Sequence, residues 1–210
     1  MPPFRHTQVF SITLVLLALL EGAASAQSGP PALVLGIRIT AGGRFDNVRR
    51  CVASPVGTKG GPAADIQLFA EFGLGPDMSL TVNLPVMRPI LFAAAFKILQ
   101  LEPDVALTWR RRASDTVDWI VGPSLGVSIH YGPDYASEIS GPAKGAWFFA
   151  IGPTFGAYVG LDFKRDSAFN FQMGLHPYIT PLFGVSDPAS HKGVVIGGML
   201  EGQFRFAQKR

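Results

Sequence analysis

The sequence predicts an all-β protein: an eight-stranded antiparallel transmembrane β-barrel with short periplasmic turns and longer extracellular loops. Three observations support this prediction, namely an N-terminal export signal, an alternation of apolar with small or polar residues, and connections of alternating length. In residues 146–164, odd positions carry large apolar side chains such as Trp147 and Phe155, whereas even positions include Gly156 and Asp162. Because successive side chains of a strand point to opposite faces, this period of two gives one apolar and one polar face.

Residues 1–26 have the features of a cleaved signal peptide. Arg5 and His6 form a basic start, residues 9–20 form an apolar core, and residues 24–26, Ala-Ser-Ala, supply the small residues that a signal peptidase requires. This core is too short for a membrane-spanning helix, which needs roughly 20 residues. We therefore expect residues 27–210 to form one barrel domain, exported to the outer membrane of a Gram-negative bacterium.

Composition excludes several other classes of protein. With 48% apolar and 16% charged residues, the chain is too apolar for an ordinary secreted protein, yet after the predicted signal peptide it has no apolar run of membrane-helix length. A barrel accounts for both facts, because lipid-facing residues are then spread along alternating strands. The net charge of +3 comes without a continuous basic stripe, so we expect no nucleic-acid partner. Cys51 is the only cysteine, and neither a metal site nor a cofactor is predicted.

Eight segments have the composition and alternation of β-strands. They are Ala32 to Thr40, Ala64 to Leu74, Met78 to Val86, Pro103 to Arg111, Val117 to Tyr131, Ala146 to Lys164, Ala168 to Val185 and Gly193 to Phe206. Single-chain bacterial barrels normally have an even number of strands, and this count agrees with that rule.

The connections between these segments alternate in length, as they do in outer-membrane barrels. The short ones, predicted to be periplasmic turns, are residues 75–77, 112–116 and 165–167. The long ones, predicted to be extracellular loops, are residues 41–63, 87–102, 132–145 and 186–192. In the first loop, the pairs Gly42-Gly43 and Gly60-Gly61 are interpreted as hinges. The segment Ile90 to Leu101 is too apolar for a free loop, and it is predicted either to extend the flanking strands or to form a short helix over the barrel mouth.

Aromatic residues beside the predicted turns and loops are expected to form two girdles at the membrane surfaces. The predicted girdle residues are Trp109, Trp119, Tyr131, Trp147, Phe163, Phe169 and Phe204.

Three tracts resemble recurring units of small bacterial outer-membrane β-barrel families. Residues 71–85, EFGLGPDMSLTVNLP, resemble their strand, tight turn and strand unit, and residues 121–127 and 151–157, VGPSLGV and IGPTFGA, resemble their strand patterns. The resemblance covers the mature chain and is architectural, without a catalytic signature. It implies outer-membrane lipid, including lipopolysaccharide, and the barrel assembly machinery as partners. The chain departs from the pattern because four residues follow Phe206, its candidate aromatic assembly signal.

Continuing the alternation along each strand predicts which polar side chains face the lumen. The candidate lumen network consists of Arg38, Glu71, Arg110, Asp162, Glu201 and Arg205. The same alternation also turns inward Asp65, Gln67, Asn83, Asp104, Asp118, His130, Asn170, Gln172, His176 and Gln203. We expect Arg38 to meet either Glu201 or the neighbours of Arg205 when the first and last strands pair, and Glu71 to meet Arg38. Since an eight-stranded interior is just wide enough for side chains, these groups are predicted to plug the lumen.

The predicted function is a structural or interaction role in the cell envelope, with an extracellular ligand bound through loop residues such as 131–135 as one form of it. The alternative is a narrow, porin-like passage for small solutes. We predict no enzymatic activity. A more distant hypothesis is a lipid A deacylase-like enzyme, because Ser128, His130 and Glu138 are the residue types of a nucleophile, a base and an orienting acid.

A soluble, exported barrel of lipocalin type is the strongest rival fold, because its strands also alternate. Its apolar side chains would all have to lie inside, and the large aromatic residues are too voluminous for one small barrel. The sequence therefore favours the membrane barrel.

Overall fold

The structure is a closed antiparallel β-barrel, which confirms the predicted fold class. The computed structural model describes residues 33–46, 60–94, 99–133, 147–163, 169–185 and 193–207. In these ranges the elements are β1 (Leu33–Asp46), β2 (Gly60–Gly73), β3 (Met78–Pro85), α1 (Met87–Ala94), β4 (Leu99–Leu101), β5 (Asp104–Arg112), β6 (Val117–Pro133), β7 (Trp147–Phe163), β8 (Phe169–Gly184) and β9 (Gly193–Ala207). The predicted signal peptide, Cys51 and most of three predicted long loops lie outside the described residues.

Eight of these strands form the barrel wall, in the order β5-β3-β2-β1-β9-β8-β7-β6, and β6 pairs with β5 to complete the ring. The first and last strands pair along their whole length, for example at Ile37 with Phe204 and at Thr40 with Glu201. Closure leaves no open sheet edge in the wall, so its backbone N–H and C=O groups can bond between strands without water.

The first two strands are longer than predicted, and the interpretation of the glycine pairs 42–43 and 60–61 as hinges is wrong. The β1 to β2 ladder continues through Gly42 opposite Ala63 and Arg44 opposite Gly61. A Cβ atom at Gly42 would overlap the carbonyl oxygen of Gly198 on β9. Glycine therefore allows two strands to approach closely here, and it does not mark a loop. The bounds of the other barrel strands agree with the prediction to within two residues.

The segment between β3 and β5 contains both of the structures that the sequence left open. Helix α1 follows β3 directly, and the short strand β4 then pairs with β6, with Leu99 opposite Tyr131 and Leu101 opposite Ile129. Strand β4 therefore continues the β5 edge of β6 beyond Pro103. Residues 87–94 and 99–101, within the segment predicted as a long loop, instead form a helix and a strand at the end of the barrel that carries the predicted loops, hereafter the loop end.

The outer face of the barrel is apolar and the inner face is polar. Leu125, Leu175 and Leu200, on three different strands, are 57–58% exposed at the middle of the outer wall. Arginine, aspartate, glutamate and histidine side chains on the same strands are buried inside. This arrangement is the inverse of a soluble lipocalin-like barrel. No helix within the described ranges has the length and hydropathy needed to cross a membrane.

A charge on the outer face should destabilise the barrel only if that face contacts lipid. We expect Leu200→Arg to lower the free energy of unfolding from lipid vesicles by about 2–4 kcal/mol, because the cation would lie near the bilayer midplane. The control is Ala113→Arg, on the exposed turn between β5 and β6. Urea titration of refolded protein in vesicles measures both changes. Equal stability of the two variants would contradict a lipid-facing belt.

Candidate functional site

The barrel interior is the candidate site, because the described residues concentrate their buried polar chemistry there. All six side chains of the candidate lumen network point inward and are at most 7% exposed. The other ten side chains that the alternation turns inward are also buried. Their contacts group into three levels along the barrel axis.

The first level is a ring of four charges near the end that carries the tight turns, here called the turn-end ring: Glu71, Arg110, Asp162 and Arg205. One Glu71 oxygen, Oε1, accepts from Arg110 at 2.5 Å and from Arg205 at 2.8 Å. Asp162 Oδ2 accepts from the same two guanidinium groups, at 3.3 Å and 3.0 Å. Two cations and two anions thus neutralise each other across the lumen.

The turn-end ring connects alternate strands of the wall. Its members lie on β2, β5, β7 and β9, so each ion pair spans one intervening strand. Intervening strands add hydrogen bonds, because Arg110 donates to Ser79 Oγ on β3 at 2.9 Å and Gln172 on β8 donates to Asp162 at 3.0 Å. Charge pairing is therefore coupled to the closure of the whole barrel, as in the layered packing of small barrel interiors.

The second level, at mid-barrel, is a chain of four side chains, here called the mid-barrel chain: Arg38, Glu201, His176 and Ser124. Arg38 Nη1 lies 3.1 Å from Glu201 Oε2, which is one of the two pairings expected from strand closure. Glu201 Oε1 lies 2.7 Å from His176 Nδ1, and His176 Nε2 lies 2.7 Å from Ser124 Oγ. On the other side of the lumen, Asn83 donates to Asp104 at 2.7 Å.

The expected contact between Glu71 and Arg38 is wrong. In the β1 to β2 register, Arg38 lies opposite Gln67, whereas Glu71 lies opposite Val34. The two side chains therefore belong to different levels, and Glu71 pairs with Arg110 and Arg205 instead.

The third level, at the loop end, is centred on Glu102, which follows β4. Its Oε2 lies 2.5 Å from Arg88 Nη1 on α1, and its Oε1 lies 3.2 Å from Arg44 Nη1 on β1. Ser128 on β6 donates to Oε1 at 3.0 Å. Arg88 also contacts Asp65 on β2, with Nε 3.1 Å from Oδ2. These contacts hold α1 and β4 against the barrel wall, and we call them the loop-end latch.

Electrostatics keep Glu102 ionised. Burial alone would raise the pKa of this carboxyl, but Arg44, Arg88 and a hydrogen bond with His130 hold the pKa well below its ordinary value of 4.5. The carboxylates of Glu102 and Asp65 in turn raise the pKa of the Arg88 guanidinium, against the effect of burial.

A cavity of about 40 Å³ lies between the mid-barrel chain and the loop-end latch. By the usual requirement of about 10–15 Å³ for one buried water, it has room for roughly three waters. Its lining comes from both levels and includes Arg88, Glu102, Asp104, His176 and Glu201. The cavity therefore separates two of the three levels of polar contacts.

The described residues contain no group of three or more His, Cys, Asp or Glu side chains arranged to hold a metal ion. Of the hypothetical deacylase residues, Ser128 and His130 are fully buried in the lumen, with Ser128 Oγ 3.0 Å from His130 Nε2. Glu138 lies outside the described residues, and the carboxylate beside this pair is Glu102. A lipid-modifying enzyme requires catalytic residues that face lipid, and this pair faces the lumen instead.

The predicted girdle residues lie on the outer face wherever their side chains are described. Trp109, Trp119, Tyr131 and Trp147 are 40–57% exposed, and the Tyr131 and Trp147 rings are 5.1 Å apart at the loop end. Near the turn end, Phe171 lies between two predicted girdle residues, with ring centroids 6.3 Å from Phe163 and 5.2 Å from Phe204. The side chain of Phe169 is outside the described part of the chain.

Sequence reasoning missed Arg44, Arg88, Glu102 and Ser124. Arg44 continues the even-numbered inward positions of Arg38 and Thr40, so extending the alternation past Gly42 and Gly43 would have found it. Arg88 and Glu102 had no such signal, because their orientation depends on how residues 87–102 fold back onto the barrel. Ser124 lies on the inward face of β6, but no periodicity indicates that it reaches His176, two strands away in the wall.

The turn-end ring should be sensitive to loss of a single charge. We expect Glu71→Gln to lower the free energy of unfolding by about 3–5 kcal/mol, because Arg110 and Arg205 would then share one carboxylate inside the barrel. The control is Asp115→Asn, whose ion pair with Arg112 spans 3.7 Å between side chains 74% and 99% exposed. No measurable change is expected there. If urea unfolding gave the same result for both variants, the ring would not stabilise the barrel.

The loop-end latch should make stability depend on pH in the acidic range. A carboxyl whose pKa is lowered by folding stabilises the folded state at pH values above its ordinary pKa of 4.5. This contribution is lost as the pH falls through the pKa of the folded state. The stability difference between wild type and Glu102→Gln should therefore be largest near neutral pH and shrink below 4.5. Thermal unfolding in detergent at several pH values tests this. A difference that stays constant down to the acid limit would contradict the latch.

Comparison with known proteins identifies the fold. No protein-family model matches the chain, and no curated protein matches it. The crystal structure of Neisserial surface protein A (NspA) superposes with a TM-score of 0.59 at 9% identity, covering 86% of this chain and 100% of that one. Ail, the attachment invasion locus protein of Yersinia pestis, matches with a TM-score of 0.36 at 15% identity, covering 82% and 98%. The chain has the fold of a small eight-stranded outer-membrane β-barrel protein.

Proposed function

We propose that the chain is an outer-membrane protein whose plugged barrel has a structural or interaction role in the cell envelope. The observation that carries this proposal is the set of ion pairs buried in the lumen at three levels, from the turn-end ring to the loop-end latch. A barrel with such a lumen holds the protein in the membrane through its outer face and presents its loops. The filled lumen leaves little room for solutes.

The outer face supports the proposed location. Large apolar side chains cover the middle of the wall, and aromatic rings lie towards both of its ends. This distribution suits a bilayer with an aromatic residue at each interface. NspA, which shares the fold, is named a surface protein. From this likeness we extend to this chain only the location at the bacterial surface, and we do not extend any ligand.

The proposed partners follow from the same surfaces. Outer-membrane lipid, including lipopolysaccharide, would surround the apolar belt. Phe206 is 48% exposed near the end of β9 and would be read by the barrel assembly machinery. An extracellular ligand would bind through the long loops, for which Tyr131 marks the membrane boundary.

A second candidate function is the narrow passage of small solutes. The cavity of about 40 Å³ below the loop-end latch favours it, because the lumen contains space for water at that level. Passage would require both the loop-end latch and the turn-end ring to open. Solute passage therefore ranks below the structural or interaction role.

Single-channel recording separates the two functions. We expect wild-type protein inserted in planar bilayers to show no stepwise ion conductance, because charged side chains occupy the lumen at each level. Insertion is verified by the heat-modifiable gel mobility of the same preparation. Arg38→Gln, which removes a mid-barrel charge, should also be silent. Conductance steps in the wild type that change size in Arg38→Gln would overturn the plugged barrel in favour of solute passage.

A further inference from the structure

The mid-barrel chain contains an arrangement that a structural plug does not require. We propose that Ser124 is a nucleophile, activated by His176 and oriented through Glu201, which accepts the acyl group of a small ester that enters the lumen cavity. This goes beyond the proposed function, which makes no use of Ser124.

The two nitrogens of the His176 ring have different partners. Nδ1 lies 2.7 Å from Glu201 Oε1, and Nε2 lies 2.7 Å from Ser124 Oγ. A carboxylate accepts hydrogen bonds only, so Nδ1 carries a proton, and in the neutral ring Nε2 presents its lone pair to the serine hydroxyl. Nucleophile, base and orienting acid thus stand in the order that defines a hydrolytic triad, which is recognised by geometry rather than by sequence position.

Glu201 is itself fixed in place. Its second oxygen, Oε2, lies 3.1 Å from Arg38 Nη1, and the side chains of the pair are 1% and 3% exposed. The carboxylate is therefore held on one side by Arg38 and on the other by His176. Glu201 acts on the serine through the histidine, so it is a positioning residue.

Gly156, on the strand between Ser124 and His176, leaves room for the Ser124 hydroxyl and the His176 ring to meet. A Cβ atom at this position would lie 2.5 Å from Ser124 Oγ and 2.6 Å from His176 Nε2, closer than real contacts allow. Any larger residue would push these two atoms apart or cover them. Glycine allows the pair to bond across β7.

The cavity limits the substrate. His176 and Glu201 line it together with Thr154 and Tyr178, and its volume is about 40 Å³. Ser124 is next to this lining, because its Oγ lies 2.7 Å from Nε2 of His176. Space for roughly three waters corresponds to an acyl group of acetyl size. A long lipid acyl chain would not fit, which separates this proposal from the lipid A deacylase hypothesis.

The chain offers an internal comparison at the loop end. Ser128, His130 and Glu102 are the same three residue types, but Ser128 Oγ, at 3.0 Å, and Glu102 Oε1, at 3.8 Å, both approach Nε2 of His130. Ser128 also donates its own proton to Glu102, at 3.0 Å. This carboxylate does not orient the ring from the opposite nitrogen, and it occupies the serine hydroxyl. We therefore infer reactivity at Ser124 and none at Ser128.

The reaction is an acyl transfer. Ser124 Oγ attacks the ester carbonyl carbon and its proton passes to His176 Nε2. The bond from carbon to the leaving oxygen breaks, and the alcohol departs with the proton from Nε2. The product is an acyl ester on Ser124. Water can then hydrolyse that ester by the same proton transfers in reverse order.

Methanesulfonyl fluoride, a small serine-directed reagent, tests the proposal on full-length mature protein folded in detergent. The Oγ–S bond forms, the S–F bond breaks, fluoride leaves, and the serine proton passes to His176. We expect intact-mass spectrometry to show one added methanesulfonyl group, and peptide mapping to place it on Ser124. His176→Gln should slow the labelling about a hundredfold or more, since general-base catalysis contributes at least that factor.

Three variants complete the test, each verified as folded by heat-modifiable mobility. Ser124→Ala should take up no reagent, Ser128→Ala should label at the wild-type rate, and Gly156→Ala should label more slowly because its methyl group covers the reacting atoms. Absence of labelling in the folded wild type, labelling at Ser128, or an unchanged rate in His176→Gln would each overturn the proposal. Conductance measurements do not involve Ser124, so the plugged-barrel function is tested separately.

Discussion

Charge pairing inside the barrel is the constraint on which the rest of the structure depends. An eight-stranded wall leaves an interior about as wide as the side chains that fill it, so an inward charge has little access to bulk water. Each one needs an opposite charge or several hydrogen bonds within reach. The turn-end ring meets this need with two arginines and two carboxylates, and the mid-barrel chain and the loop-end latch meet it at the other levels.

Charge pairing in turn depends on strand register. A one-residue slip between neighbouring strands would turn lumen charges towards lipid and apolar side chains inward, which the bilayer opposes strongly. Because the turn-end ring joins alternate strands, its four contacts form together only in the closed barrel. A buried ion pair does not by itself make a protein more stable than an apolar pair of the same volume. Here we infer that its main effect is to select this register and closure over others.

Two Ser, His and Glu clusters in one lumen show how the same residue types can serve different purposes. At the loop end, Glu102 binds two arginines and the Ser128 hydroxyl, and the cluster fastens α1 and β4 to the wall. At mid-barrel, Glu201 binds the far side of the His176 ring and leaves Nε2 to the serine. In the first arrangement the polar groups bind one another and hold the structure together. In the second arrangement the histidine is directed at one oxygen atom, that of Ser124, and His176 and Glu201 also line the cavity.

The sequence by itself determined the barrel, the bounds of six of its eight wall strands and the faces of its strands. An alternation such as that of residues 146–164 is a local property, read directly from neighbouring residues, and Arg38 opposite the last strand follows from closure alone. The fold of residues 87–94 and 99–102 and the partners of Glu71 and Ser124 were decided only by tertiary structure. These depend on strand stagger and on which side chains meet across the lumen, and a period of two carries no information about height along the barrel axis.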